Sequence, residues 1–432
     1  MDLCAILEGA KMIQPPVIVV PGITASNLDD FYPIPPEAVW STVLKKRYDR
    51  IALHPDDVRY EAREPARVRA VSIFEIVYED LVEALRQELQ KDDQLTPVFP
   101  FEYDWRQDCG LTADMLDSFV DEVIARTKLM PHYRRRKFAV DLVGHSMGGL
   151  IIADYLKRYG HRKKTRRVVS IGTPFEGAID AVLKLIIGKG HLTGENPRDR
   201  ERVAARTMPA IYQLLPSFDD AVEWNHDVPT ELFEVETWQH SLLKSLQLYV
   251  KRYRAKIEPK ALLKNYLDVA NDHRGRVRTL DVNATLPEGD SGWLAIVGVG
   301  ASTQVRIKNT KVDGGGYRFE VLDDKDDWSE GKLESANTGD GTVPFNGAVS
   351  KFLQKEKLIC VCPEDFSRWE IRDRILARTA GFHGFLPAVN LVQRLVIRFL
   401  REDYTGHVWA WKPPTVPKNK WSPPGWVEKR FK

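Results

Sequence analysis

The chain has 432 residues, of which 43% are hydrophobic and 29% are charged, and its formal net charge is +2. This composition is ordinary for a globular protein, and the length allows a large core in one or two domains. A charge so close to neutral provides no strong field for recruiting nucleic acid, so we expect no such partner. The sequence has no apolar run of the 18 residues or more that a transmembrane helix needs.

The chain has four cysteines: Cys4, Cys109, Cys360 and Cys362. Because their spacing is not that of metal ligands, we expect reduced thiols, no metal site and no cofactor. The N-terminus, residues 1–3, lacks the basic region and the small-residue cleavage site of a secretory signal peptide. We therefore expect a cytoplasmic protein, with export that needs no N-terminal signal left open.

Strand and helix patterns alternate through the first 175 residues. Val17–Val20 is a short apolar run that predicts a buried strand, and residues 77–89 have apolar side chains at helical spacing. Residues 116–124 predict a second helix, which leads into the predicted strand at residues 138–143. Another strand is predicted at Arg167–Ile171. This alternation predicts an α/β fold, with a mostly parallel sheet covered by helices on both faces.

Residues 180–290 break this alternation with a long, mostly helical pattern rich in charged and aromatic residues. An insertion after a core strand predicts a cap or lid, and the alternative is a helical domain with no role at the site. Strand patterns resume at Trp293–Val299, and a hairpin signal follows around residues 305–321. The core is expected to end with the strand Leu358–Val361 and a helix from about residue 388 to residue 401.

The last 30 residues contain tryptophans among prolines and lysines. We expect an extended tail that packs on the surface or is partly disordered. Tryptophan beside lysine also suits a membrane interface, so peripheral membrane contact through the lid or the tail is a second interpretation. The predicted organisation has four parts: first part of the core, 1–179; cap or lid, 180–290; second part of the core, 291–402; tail, 403–432.

The most informative motif is Gly144-His145-Ser146-Met147-Gly148, between a predicted buried strand and a predicted helix. This context identifies a nucleophile elbow, in which glycines permit a tight turn against neighbouring backbone. The turn would present the Ser146 hydroxyl at a helix N-terminus, where the helix dipole favours negative charge. His145 is expected to be structural, because the residue before such a serine points into the sheet.

A serine nucleophile needs a base, usually a histidine, that a carboxylate orients. With this elbow the order along the chain is serine, then aspartate or glutamate, then histidine. Asp340, between two glycines, fits the carboxylate, although an ordinary turn aspartate is the alternative. His383 follows the last predicted strand and fits the base, although a helix-capping or surface histidine is the alternative. Asp313 and Glu334 are the other candidates for the carboxylate.

An oxyanion hole needs two backbone N–H groups directed at the developing negative charge. One is expected from Met147, the residue after the nucleophile. The second is expected from Ile23, in the loop that follows the first strand and contains Gly22. The predicted site therefore combines a nucleophile, a base, an orienting carboxylate and two backbone donors.

Six short sequence motifs follow one another along the chain: Val20–Ile23, Tyr103–Arg106, Gly144–Gly149, Gly172–Phe175, Pro209–Pro216 and Gly339–Pro344. Together they resemble the lecithin:cholesterol acyltransferase-like α/β-hydrolases, which include lysosomal phospholipase A2 and phospholipid:diacylglycerol acyltransferases. The resemblance spans about residues 17–400. It implies an α/β-hydrolase fold, and Asp104 and Arg106 as braces of the core near the site. The chain lacks the cysteine pair that forms an early lid disulfide in the secreted members.

The resemblance also implies a lipid ester as substrate and an acyl intermediate on Ser146. His383 would shuttle the proton, and Asp340 would orient His383. We expect a lipase or phospholipase type of hydrolysis, with acyl transfer from a phospholipid to an alcohol as the alternative. A non-catalytic module that binds a partner or a membrane is the alternative of another class. An enzyme with a regulatory protein partner would combine the two classes.

Overall fold

The computed structural model describes residues 13–41, 45–46, 48–53, 67–91, 94–187, 199–225, 231–313, 316–320, 335–363, 381–403, 407–411 and 426–430. The strands it describes are, in chain order, β1 (Val17–Val20), β2 (Ser26–Asp30), β3 (Glu37–Ser41), β4 (Lys45–Lys46), β5 (Val68–Ile73), β6 (Val98–Pro100), β7 (Val140–His145), β8 (Thr165–Ile171), β9 (Val222–Asn225), β10 (Trp293–Gly298), β11 (Ala301–Gln304), β12 (Ile307–Lys311), β13 (Tyr317–Glu320), β14 (Ser335–Gly339), β15 (Leu358–Val361), β16 (His407–Trp411) and β17 (Trp426–Arg430).

The same residues also form α-helices, which are numbered here in chain order. They are α1 (Tyr48–Ile51), α2 (Glu75–Glu88), α3 (Cys109–Thr127), α4 (Met147–Tyr159), α5 (Ile179–Ile187), α6 (Asp199–Ala205), α7 (Pro209–Gln213), α8 (His240–Tyr253), α9 (Pro259–Arg278), α10 (Val282–Thr285), α11 (Phe345–Ala348), α12 (Phe382–Phe385) and α13 (Asn390–Arg401). None of these described helices combines the length and the apolar character that crossing a bilayer requires.

The centre of the described fold is an eight-stranded sheet in the order β17-β16-β15-β10-β8-β7-β1-β6. The six strands from β15 to β6 pair in parallel. The register pairs Val20 of β1 with Gly144 of β7, and His145 of β7 with Ile171 of β8. The carboxyl ends of these three strands therefore meet at one edge of the sheet, which is where α/β folds hold their ligands.

The two faces of the sheet are buried by different helices, because successive side chains of a strand point to opposite faces. Val17 and Val19 of β1 pack in one apolar cluster together with buried side chains of α2 and α13. Ile18 and Val20 pack in a second cluster that includes residues of α3, α4 and α9. The prediction of a mostly parallel α/β sheet with helices on both faces is confirmed.

The insertion that follows α5 is mainly helical but also contains the strand β9. This strand pairs in parallel with β12, which pairs with β13 to form a three-stranded sheet. The small sheet therefore joins residues on both sides of the boundary predicted at residue 290. The hairpin signal corresponds to β12 and β13, and the last long helix begins at Asn390.

The tail was expected to be extended on the surface or partly disordered, and its described part includes two extended strands, β16 and β17. β16 pairs antiparallel with the edge strand β15, and β17 pairs antiparallel with β16. The pairing supplies hydrogen-bond partners to an edge of the central sheet that would otherwise be open. The membrane interpretation of the tail concerns side chains outside the described residues, so it stays a prediction.

Candidate active site

Ser146 lies in the sharp turn between β7 and α4, at the carboxyl edge of the sheet. Its φ is +52°, a strained value for a residue with a side chain. The Ser146 N–H donates to the carbonyl of Ile171 at 2.8 Å, which ties the turn to the neighbouring strand β8. A Cβ atom on Gly144 would lie 2.8 Å from the backbone nitrogen of Gly149, and one on Gly148 would collide with the carbonyl oxygen of Val20. Both motif glycines are therefore required by backbone proximity.

The side chains of Ser146, His383 and Asp340 form a continuous hydrogen-bonded chain. His383 Nε2 lies 2.9 Å from Ser146 Oγ, and His383 Nδ1 lies 2.6 Å from Asp340 Oδ2. The three residues are only 5%, 3% and 1% exposed, respectively. A neutral histidine held in this way can take the hydroxyl proton while the serine oxygen attacks a carbonyl carbon. The structure brings together the three predicted residues; their catalytic roles remain predictions.

The Asp340 carboxylate is held by backbone groups on the side away from His383. Its Oδ1 accepts hydrogen bonds from the N–H groups of Thr342, at 3.1 Å, and Val343, at 2.7 Å. The His383 N–H also donates to the backbone carbonyl of Asp340 at 3.0 Å. The carboxylate orientation is therefore determined by fixed donors. Asp313, an alternative, is exposed in the β12–β13 hairpin, and Glu334 lies outside the described residues.

A cavity with an empty volume of about 690 Å³ opens in front of Ser146 and His383. Its wall is largely apolar and includes these side chains: Ile23, Ala25, Phe74, Val77 and Phe385. An apolar wall beside a buried serine and histidine suits an ester that carries a hydrocarbon chain. In the described part of the chain, no cluster of three or more histidine, cysteine or acidic side chains is placed to hold a metal ion.

The two residues predicted as oxyanion donors both lie next to the nucleophile. Ile23 lines the cavity, and a Cβ atom on Gly22 would lie only 2.9 Å from Ser146 Cβ, so this loop packs directly on the nucleophile. Met147 is the first residue of α4, and its side chain points into the core. Their role as donors remains a prediction, because it concerns an oxyanion that forms only during the reaction.

His145 has the structural environment that the sequence predicted for it. Its Nδ1 lies 2.6 Å from the Tyr78 hydroxyl, and its Nε2 lies 3.0 Å from the backbone carbonyl oxygen of His383. Burial, together with the neighbouring His383, holds the pKa of His145 well below its usual value. The ring is therefore neutral and bonded to groups other than the Ser146 hydroxyl.

The segment Tyr103–Arg106 braces the loop that carries Ile23. Arg106 binds both carboxylate oxygens of Asp104, at 2.7 and 2.6 Å, and donates to the backbone carbonyl of Ile51. Although burial acts to raise the pKa of Asp104, the Arg106 guanidinium lowers it below its usual value. Trp105 Nε1 donates to the carbonyl of Ser26 at 3.1 Å. This geometry agrees with a bracing role and places neither charged side chain on the cavity wall.

Sequence reasoning missed Tyr78, whose ring lines the cavity from α2. The residue lies on the buried face of that helix, next to Val77. Helical spacing predicts which side chains are buried, but it cannot tell which buried hydroxyl meets a histidine 67 residues later in the chain. A tyrosine on an otherwise aliphatic buried face was the available signal, because a buried hydroxyl needs a partner.

A family model identifies the family of the chain. Residues 68–291, more than half of the chain, match the model of the lecithin:cholesterol acyltransferase family. The chain belongs to the lecithin:cholesterol acyltransferase family. This member is an α/β-hydrolase and a lipid esterase or acyltransferase. A search of curated proteins found no match to the chain.

A solved structure with low sequence identity shares the fold, and two others superpose less closely. The structure "The crystal structure of Tle4-Tli4 complex" superposes with a TM-score of 0.60 at 14% identity, covering 90% of this chain and 98% of that chain. The lipase BlEst2 of Bacillus licheniformis gives a TM-score of 0.32 at 12% identity, covering 86% and 91% of the two chains. The lin2722 product of Listeria innocua gives 0.34 at 13% identity, covering 91% and 96%.

Proposed function

We propose that the protein is a serine-dependent hydrolase of lipid esters, of the lipase or phospholipase type. The observation that carries this proposal is the hydrogen-bonded chain from Asp340 through His383 to Ser146, at the edge of an apolar cavity. Membership in a family of lipid esterases and acyltransferases supports the same chemistry. In this proposal Ser146 is the nucleophile, His383 the general base and acid, and Asp340 the orienting group.

The proposed reaction has two halves. In the first, Ser146 Oγ attacks the ester carbonyl carbon while its proton passes to His383 Nε2, and the N–H groups of Ile23 and Met147 stabilise the oxyanion. The tetrahedral intermediate collapses, and the alcohol leaves with the proton from His383. In the second half, water gives a proton to His383 and attacks the acyl-serine. The fatty acid leaves, and Ser146 Oγ regains its proton.

Acyl transfer is the second candidate, because the matched family model is named for an acyltransferase. An alcohol would replace water in the second half and would give its proton to the same His383 nitrogen. The two reactions are separated by the ratio of ester to free acid when the concentration of an added alcohol is raised. If the ratio of ester to free acid reaches a plateau as the alcohol concentration rises, the protein has a binding site for the acceptor. If the ratio rises linearly with the alcohol concentration, the alcohol simply competes with water.

The proposed substrate has consequences for partners and for the insertion. A lipid ester resides in membranes or micelles, so we propose peripheral membrane contact and a lid role for residues 180–290. A regulatory protein partner is also part of the proposal. One of the structurally similar proteins was crystallised as a complex between two proteins, Tle4 and Tli4.

The test of the proposed function compares the wild type with Ser146→Ala. A fluorophosphonate probe should label the wild type, and mixed phospholipid and triglyceride vesicles should release fatty acid. Both signals should disappear in Ser146→Ala. The matched control is Ser350→Ala, because Ser350 is also buried but bonds to Glu176, away from the cavity. Labelling that persists in Ser146→Ala would refute the assignment.

A further inference from the structure

Two buried tyrosines bind opposite ends of one peptide group in the loop beside the nucleophile. The carbonyl oxygen of Pro21 accepts a hydrogen bond from the Tyr103 hydroxyl at 2.7 Å. The N–H of Gly22, the other end of the same peptide group, donates to the Tyr78 hydroxyl at 2.9 Å. Tyr78 comes from α2, and Tyr103 from the segment that follows β6. The plane of this peptide group is therefore held from both sides by side chains remote in sequence.

The direction of each hydrogen bond can be assigned from what each atom is able to do. The Gly22 N–H can only donate, so the Tyr78 oxygen accepts from it and directs its own proton to His145 Nδ1, 2.6 Å away. Burial raises the pKa of Tyr78, so its hydroxyl keeps that proton. The carbonyl of His383 can only accept, so His145 Nε2 donates to it at 3.0 Å. A continuous chain thus runs from the Gly22 peptide to the backbone of His383.

The loop held in this way leads directly to the candidate oxyanion donor. A turn from Gly22 to Ala25 is closed by the Ala25 N–H donating to the Gly22 carbonyl at 3.3 Å. Within this turn Thr24 has a φ of +64°, a strained value for a β-branched residue. The strained turn needs support from its surroundings, and rotation of the Pro21–Gly22 peptide group would break both tyrosine hydrogen bonds.

We propose that Tyr78 and Tyr103 are positioning residues that hold the Pro21–Gly22 peptide group, so that the following N–H, that of Ile23, faces the oxyanion. Through His145, Tyr78 also couples the position of this loop to the backbone of His383. This inference rests on the proposed function, because it assigns supporting residues to the same reaction. Neither tyrosine donates a proton to the substrate or accepts one from it.

The proposal predicts a loss of turnover without a loss of substrate binding. Tyr78→Phe leaves the Gly22 N–H without its partner, and Tyr103→Phe does the same to the Pro21 carbonyl. Removing an oxyanion donor lowers kcat by about 10²- to 10³-fold in other hydrolases. A donor that is misplaced rather than removed should cost less, so we expect each variant to lower kcat about 10- to 100-fold. KM should stay within about threefold, because the oxyanion forms only in the transition state.

The experiment measures kcat and KM on a soluble ester for both single variants and for the double variant Tyr78→Phe/Tyr103→Phe. Because the two tyrosines hold one peptide group, the double variant should lose much less than the product of the single losses. The matched control is Tyr133→Phe, since the Tyr133 hydroxyl donates to the carbonyl of Gln14 at 2.6 Å, outside the cavity wall. That control should lower the stability of the fold and leave kcat and KM unchanged. A kcat within threefold of wild type for both single variants, or strictly multiplicative losses, would overturn the proposal.

A crystal structure of the double variant provides a second measurement that is independent of activity. We expect the Pro21–Gly22 peptide group to be rotated or displaced from its wild-type position. A peptide group in the wild-type position would overturn the proposal even if turnover had fallen. If the wild type itself has no Ser146-dependent activity, the proposed function fails, whereas the position of this peptide group still decides the role of the two tyrosines.

Discussion

Replacement of Asp340 by asparagine tests the candidate site most sharply, because the surrounding backbone determines how the new side chain must lie. In the wild type, Oδ1 accepts from two backbone N–H groups, and Oδ2 lies 2.6 Å from His383 Nδ1. An asparagine must place its carbonyl oxygen toward those two N–H groups. Its NH₂ group then faces His383 Nδ1 and donates to it.

This orientation forces the wrong tautomer on the histidine. With Nδ1 accepting a hydrogen bond, the ring proton lies on Nε2, 2.9 Å from the Ser146 oxygen, and Nε2 can no longer accept the serine proton. In a serine protease the same exchange lowers kcat by about 10⁴-fold. We expect a loss of that order, which corresponds to about 5 kcal/mol in the activation barrier. Folding should change little, because the two side chains have nearly the same volume.

The assay is kcat/KM on a soluble ester, together with the rate of fluorophosphonate labelling and thermal unfolding to verify the fold. Asp313→Asn is the matched control, because Asp313 is exposed in the β12–β13 hairpin, and it should keep full activity. If Asp340→Asn keeps more than a tenth of wild-type activity, the tautomer argument is wrong. If Asp313→Asn is the inactive variant, the orienting carboxylate has been assigned to the wrong residue.

Two further predictions concern stability. Because burial holds the pKa of His145 well below about 6.5, the unfolded chain takes up a proton in mild acid that the folded protein does not. The contribution of this histidine to the free energy of unfolding is thus complete above about pH 6.5 and is lost as the pH falls. At about pH 5.5 the loss is about 1.4 kcal/mol. Urea unfolding of the His145→Asn variant should not show this part of the pH dependence. Arg274→Leu should cost about 3 kcal/mol or more in the same assay, because the buried guanidinium donates to backbone carbonyls of Phe175, Gln213 and Leu215.

The strands that are most visible in the sequence are those buried on both faces. Val17–Val20 appears in the sequence as a continuous apolar run, and all four residues are buried in β1. The same holds for Leu358–Val361, which forms β15. A parallel strand covered by helices on both sides needs apolar residues at every position, so its pattern is visible without knowledge of its neighbours.

The elements that could not be predicted depend on pairing across the chain. Val222–Asn225 forms β9 only because Ile307–Lys311 lies beside it in parallel. His407–Trp411 lies against the edge strand β15, which local sequence does not reveal. Strand formation depends on context more than helix formation does, since it requires a partner in register.

The candidate triad was predictable for a different reason. Its members lie 237 and 43 residues apart, so no local pattern connects them. Their order along the chain and the glycines around them made these residues the leading candidates, because the carboxyl ends of parallel strands collect at one edge. The hydrogen bonds that hold this edge together, such as that of Tyr78 to His145, carry no comparable motif.

The site combines two strained backbone positions with supporting hydrogen bonds that form only when the sheet has assembled. Ser146 and Thr24 both have positive φ values, which the local sequence disfavours. The strain at Ser146 is offset by its N–H bond to Ile171 of β8, and the loop before Thr24 is held by Tyr78 of α2. Because these partners are distant in sequence, neither turn is expected to persist in an isolated segment. Assembly of the sheet and assembly of the site are therefore one event, and a destabilised variant should lose activity and strand structure at the same urea concentration.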